Sequence, residues 1–380
     1  MTVKVGLVWD AAGPVEAGRG LLESARVHEL DSFMVIDHLI NTFPSQAWDT
    51  DFTYLASALP SPDRCLDFAT VLGNFASYAG PVQLVVGVTD PHRRHPAVLA
   101  QTALTLAQFT EQPPVLGVGA GASENLQPYG VVHDPRVDRV EEALRIVRMM
   151  LDGVGPHDFA GRHFTLDRAL MGLRAPEGRE PRLWVGANRS RMLTLTGRYA
   201  DGWLPSELVT PDEYARRLSV VRKAAAAAGR DPNAIVASGG VPIVVAETDE
   251  RAHELLHANP IRFLALHASA DAWASHGVVH PFGAEYQGLA ELLPHILTRG
   301  EVRQAMAAVP ERLVAEQVLV GSRQTVLERI GELVEAGLEH PMLIPVSAMA
   351  SPDDAAFTLE TVAWLARELR APSPIGETIS

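Results

Sequence analysis

The 380-residue chain carries 46 acidic against 32 basic side chains, a net charge of −14 with histidine neutral. That balance argues against nucleic acid as the main partner and requires any anionic ligand to meet a local group of arginines. A single cysteine, Cys65, excludes an intrachain disulfide framework and a thiolate metal or iron–sulfur site.

Short apolar runs at Val3–Trp9, Phe33–Ile36, Val82–Thr89, Val115–Gly119, Leu183–Gly186, Gly202–Leu204, Ser238–Ala246 and Met342–Val346 predict strands. Several are β-branched and nearly continuous, as strands buried on both faces should be. Helical patterns lie between them. Cys65 is expected in a helix, buried among apolar neighbours. Asp134 and Pro135 are the expected cap and first residue of a helix that continues through Val137, Val140, Leu144, Val147 and Leu151 to a stop at Gly153. Ser322 opens a second helix that ends at Gly337, and Ser351-Pro352-Asp353-Asp354 starts the last. Eight strand–helix alternations imply a parallel sheet, and eight is the count that closes a (β/α)8 TIM barrel. An open doubly wound sheet takes similar units, so the count favours the barrel without proving it. One barrel domain over 1–380 is expected, with insertions at 39–80 and 259–318, where the connections are too long to be simple. No 18-residue apolar run and no basic, signal-like leader occur, so a cytosolic protein without a membrane-spanning helix is expected.

Asp37-His38 ends the second strand, where a barrel carries its chemistry; an imidazole there can move a proton near neutrality. Gly87-Val88-Thr89 ends the third, and its glycine would let a flat ligand approach, or simply terminate the strand. Gly117-Val118-Gly119-Ala120-Gly121-Ala122 fits a dinucleotide fingerprint in letters only. Pro128 and Gly130 interrupt the helix that the fingerprint needs, so a Rossmann reading is rejected. Asn188-Arg189-Ser190-Arg191 opens a helix, where free N–H groups and two guanidiniums suit an anion. His253-Glu254-Leu255-Leu256-His257 matches the zinc-peptidase helix. With 14 histidines in the chain such a match arises easily by chance, Pro260 follows closely, and no third ligand stands at a recognisable spacing. Trp273, His276 and His280, near Phe282 and Tyr286, either line an apolar substrate pocket or pack a lid.

Taken in order, several segments resemble the luciferase-like (β/α)8 superfamily, in its branch that uses the deazaflavin coenzyme F420. They are Asp37-His38, Gly87-Val88-Thr89-Asp90-Pro91, Arg94-His95-Pro96-Ala97, Leu116–Gly121 with Glu124-Asn125, Pro128-Tyr129-Gly130, and Gly197–Trp203. The insertion Trp273–Leu293 further resembles the phthiodiolone ketoreductase subgroup. The resemblance implies a deazaflavin in the barrel mouth, with Asp37 bonding its ring system and His38 as proton donor. A non-prolyl cis peptide at Gly87-Val88 would support the ring. Thr89, Ala120, Gly121 and Asn125 would be cofactor contacts, and Asn188, Arg189, Arg191 and Met192 would lie at the phosphate tail. Many relatives carry an acidic residue directly after Gly121. Here it is Ala122, and Glu124 is the nearby acid that could compensate. Lys4 and Lys223 are the only lysines, so a sugar-phosphate clamp is not evident. The expected function is hydride transfer between reduced F420 and a ketone or activated alkene, in a homodimer acting on an apolar small molecule. An FMN-dependent monooxygenase on the same fold is the alternative. A zinc hydrolase through His253 and His257 and a non-catalytic cofactor-binding protein stand further off.

Overall fold

The computed structural model describes residues 3–132 and 137–370. Its strands are β1 (Gly6–Trp9), β2 (Ser32–Val35), β3 (Gln83–Thr89), β4 (Val115–Val118), β5 (His157–Ala160), β6 (Thr165–Ala169), β7 (Arg182–Val185), β8 (Gly202–Trp203), β9 (Val236–Ala246), β10 (Leu319–Ser322) and β11 (His340–Pro345). Eight of them form a closed parallel ring in the order β1-β2-β3-β4-β7-β8-β9-β11, with β11 pairing back onto β1. The fold is therefore the (β/α)8 barrel, and each ring strand coincides with one of the apolar runs read from the sequence.

Period-two alternation explains how the ring is filled. Val8, Met34, Val85, Val115, Trp184, Leu204 and Met342 form one buried cluster. Their chain neighbours Leu7, Val35, Leu84, Leu116, Val185 and Leu343 join the larger core shared with the surrounding helices. A packed interior leaves the C-terminal rim of the strands as the place for chemistry.

Three strands lie outside the eight runs. The eleven-residue β9 is long enough to pair with β8 and β11 through its first part and with β10 through Ile243–Ala246. β5 and β6 form a small antiparallel ribbon. The helix Asp138–Asp152 ends at Gly153 with Val140, Leu144 and Val147 buried, while the expected cap at Asp134 and Pro135 lies outside the described residues. The Ser322 hydroxyl caps Arg323–Glu335 through Thr325 N, and Ser351 Oγ exchanges hydrogen bonds with Asp354 at the last helix. Cys65 corrects an expectation. It is only half-buried and precedes the helix Phe68–Phe75, in an isolated bridge to Ala12. Burial and the carboxylates of Asp10, Asp63 and Asp37 push its thiol up to about 12.

The two long stretches meet in a second core. Phe43 and Phe52 from the first pack with Phe263, Leu266, Trp273 and Val302 from the second. The first stretch also contains Phe68–Phe75, which packs onto the main core. Among the described residues, no helix is long and apolar enough to cross a membrane.

Candidate active site

The loops that leave β2, β3 and β4 converge at the barrel rim. Asp37, two residues beyond β2, is 4% exposed. Its Oδ2 accepts from Arg93 Nη2 at 2.9 Å and Arg94 Nη1 at 2.6 Å. Burial pushes this carboxyl up, and the two guanidiniums oppose that shift. Arg93 also donates from Nε to Asp90 Oδ2 at 2.6 Å and from Nη2 to the Asp37 carbonyl at 3.1 Å. Asp90 in turn accepts from the backbone N–H groups of His92 and Arg93, so the turn after β3 aims the guanidinium at β2. Arg94 reaches Asp67 as well.

The Gly87–Val88 peptide is cis, and β3 shifts register against β4 between Val86 and Thr89. The nearby glycines make room for this irregularity. A Cβ on Gly119 would stand 2.6 Å from Val88 Cγ2, and one on Gly117 would stand 2.2 Å from the Val86 carbonyl. The run that spells a dinucleotide fingerprint therefore admits the bent β3 strand. The helix after it, Ser123–Leu126, has only four residues.

Next to this floor stand His38, Glu124 and Asn125. The Asn125 Oδ1 accepts from the N–H groups of Leu39 at 2.6 Å and Ile40 at 3.3 Å, which fixes the amide's orientation. Its Nδ2 then faces Glu124 Oε1 at 2.8 Å and His38 Nδ1 at 2.9 Å. An amide nitrogen can only donate, so His38 Nδ1 accepts and the imidazole proton lies on Nε2; the assignment follows from the hydrogen-bond pattern. Burial, then the charges of Arg93 and His267, lowers His38 to about 4. Glu124 is 1% exposed, and its Oε2 is buried without a hydrogen-bond partner. Burial raises it to about 8, with Asp90 adding to the shift and Arg93 opposing it. At neutral pH the site therefore holds a neutral imidazole beside a neutral carboxylic acid. Ala122, two residues before Glu124, precedes the short helix as its cap in extended conformation.

The other residues singled out from the sequence fall in several places. Thr89 is buried at the end of β3, while Ala120 is exposed and Gly121 half-buried on the rim. Asn188 exchanges hydrogen bonds with Ser206, and Arg189 is exposed at the start of Ser190–Tyr199. Arg191 pairs with Asp138, and Met192 is buried in the main core. Trp273 is fully buried with its indole N–H on the Ala265 carbonyl. His280 is buried between Trp273 and Tyr286, and His276 faces Glu316 at 3.2 Å. His253 and His257 share no helical face, because the helix Asp249–Leu255 ends before His257. His253 Nδ1 contacts the Asp249 carbonyl, and among the described residues no three His, Cys, Asp or Glu side chains cluster as metal ligands. Sequence reasoning missed Arg93, which ties Asp37 to Asp90. The Asp-Pro-x-Arg spacing of a side-chain-capped turn was the available signal. It also missed His267, whose charge reaches His38 across the second core, and no local pattern announced that contact.

The sequence matches the luciferase-like monooxygenase family over residues 8–340. The chain belongs to that family. It is 36% identical over 344 residues to the phthiodiolone/phenolphthiodiolone dimycocerosates ketoreductase of Mycobacterium tuberculosis, covering 89% of this chain and 90% of the relative. The Mycobacterium kansasii enzyme of the same name is 36% identical over 332 residues, 86% of this chain and 90% of the relative. Family and relatives together make the chain an oxidoreductase. Among solved structures, the coenzyme F420-dependent tetrahydromethanopterin reductase of Methanopyrus kandleri shares the fold with a TM-score of 0.75 at 19% identity, covering 97% of this chain and all of that one. An F420-dependent secondary alcohol dehydrogenase bound to an F420–acetone adduct has a TM-score of 0.74 at 21% identity, again covering 97% of this chain and all of that one.

Proposed function

We propose that the chain is an F420-dependent oxidoreductase that transfers a hydride between reduced deazaflavin and a ketone or activated alkene. The observation that carries this reading is the buried Glu124, whose Oε2 has no hydrogen-bond partner and whose Oε1 lies 3.6 Å from His38 Nδ1 at the barrel rim. Reducing a ketone requires a hydride at carbon and a proton at oxygen, and this pair supplies the second. Reduced F420 supplies the hydride when bound.

The residues present fit such a cofactor. Gly87, Val88 and Gly121 are half-buried at the rim and offer a surface on which a flat ring can lie, with Gly119 making room beneath for Val88. Arg189, exposed and without an ion pair among the described residues, is the cation for a phosphate tail, with the first-turn N–H groups of its helix. Arg191 and Met192 contribute less, since one is paired with Asp138 and the other is buried. Asp37 acts mainly through the Arg93–Arg94 cluster that holds it. The 36% identity to ketoreductases supports a ketone over a sugar phosphate.

The proton roles divide by acidity. With a value of about 4, His38 is charged in roughly one molecule in a thousand at pH 7. Charging it first would cost on the order of 4 kcal/mol. His38 therefore polarises the carbonyl oxygen through its neutral Nε2–H, and Glu124, near 8, delivers the proton. The expectation of His38 as proton donor is refined to a hydrogen-bond donor.

Titrating the purified protein with oxidised F420 and with FMN tests the reading. F420 binding followed by ketone reduction is expected. Tight FMN binding without F420 binding would turn the reading into the flavin monooxygenase, which FMN-bound neighbours such as a type II Baeyer–Villiger monooxygenase with a TM-score of 0.65 keep in view.

A further inference from the structure

Asn125 carries more structure than a cofactor contact requires. Its oxygen is engaged by the two backbone N–H groups that follow His38, and its nitrogen by the two groups that would handle the proton. All four bonds lie between 2.6 and 3.3 Å, so turning the amide over would put its oxygen against Glu124 Oε1 and its nitrogen against two donors. That arrangement loses both backbone bonds, so Leu39 and Ile40 select the orientation seen. His38 Nε2 has no hydrogen-bond partner among the described residues, and Glu124 Oε2 is buried without one.

We propose that Asn125 is a positioning residue for the proton chemistry: by giving both Nδ2 hydrogens away, to His38 Nδ1 and Glu124 Oε1, it leaves the donor protons on His38 Nε2 and Glu124 Oε2. The backbone of the loop after β2 enforces the choice through Leu39 and Ile40, so loop geometry and proton placement are one device. The catalytic use of the two protons rests on the function proposed above, whereas the tautomer itself does not.

The experiment is nitrogen-15 NMR of the full-length protein labelled at histidine, with the His38 signals identified from their loss in His38→Gln. The wild type is expected to show a neutral imidazole protonated at Nε2 at pH 7. Asn125→Asp keeps an acceptor for Leu39 and Ile40 but presents a carboxylate to Nδ1, so the proton should move to Nδ1 or the ring should become charged. F420 affinity should change less than about fivefold while ketone turnover falls about a hundredfold or more, within the range of general acid–base contributions. An Nδ1-protonated ring in the wild type overturns the proposal without any variant. So does an Asn125→Asp protein that loses F420 binding with an unchanged His38 tautomer, since Asn125 would then be a cofactor contact only. Correct tautomers in a protein that reduces no ketone would count against the proposed function and leave the positioning role standing.

Discussion

Replacing Glu124 with Gln separates the acid from its shape. The amide oxygen can still accept from Asn125, but the group no longer titrates. Glu124 has an ordinary value of 4.5 and stands near 8 in the fold. Between those values the folded chain holds a proton that the unfolded chain has released. Stability therefore falls as pH rises through 8. Between pH 7 and 9 the loss is on the order of 1–2 kcal/mol. Urea denaturation at pH 7 and pH 9 reads it directly, without cofactor or substrate. The wild type should lose that increment and Glu124→Gln should not. Ketone turnover should fall about tenfold per pH unit above 8 in the wild type, and the variant should be flat there with a rate about 10²–10⁴ lower. If the variant keeps both the alkaline loss of stability and the alkaline limb of the rate, Glu124 is not the neutral acid, and the division of labour with His38 fails with it.

Arg93→Met removes the shared partner of Asp37 and Asp90, both nearly buried, and should destabilise the fold by about 3–5 kcal/mol in a urea titration; a change under about 1 kcal/mol would mean that water replaces the guanidinium. Gly119→Ala puts a Cβ 2.6 Å from Val88 Cγ2 and should cost about 1–3 kcal/mol, while Gly240→Ala, whose new atom stays 3.5 Å from Ile344, should be close to neutral; equal effects would remove the steric account of the glycine run. His340 is buried against Ser32 Oγ at 2.8 Å and lowered to about 4 by burial. Its unfolded form binds a proton first as pH drops below 6.5, so stability is lost on acidification. His340→Gln should abolish about 2 kcal/mol of the loss between pH 7 and 5, measured by the shift in denaturation midpoint.

The ring strands were legible because both of their faces are buried, which writes them as unbroken apolar runs such as Leu84-Val85-Val86. The strands outside the ring lack that mark. β6 carries the adjacent charges Asp167 and Arg168 in a largely exposed ribbon, and β10 is four residues with a glycine, recognisable only through its pairing with the far end of β9. The site divides along the same line. Asp37-His38 stood out as a polar pair ending an apolar run. Aromatic residues do not announce which way they face, and Trp273 and His280 pack the second core instead of standing open. The acid shows the limit most sharply. An acidic residue at 122 would sit on the extended cap of the short helix, whereas 124 lies in its first turn, where the chain rotates the carboxyl inward beside Asn125. Two residues of displacement along the sequence thus leave an acid next to His38, at 3.6 Å from Nδ1, but on a different backbone support and under deeper burial. A motif scored by position counts this as a loss. What the chemistry needs is a buried proton within reach of the imidazole, and that depends on where the helix starts, which the letters around Gly121 do not state.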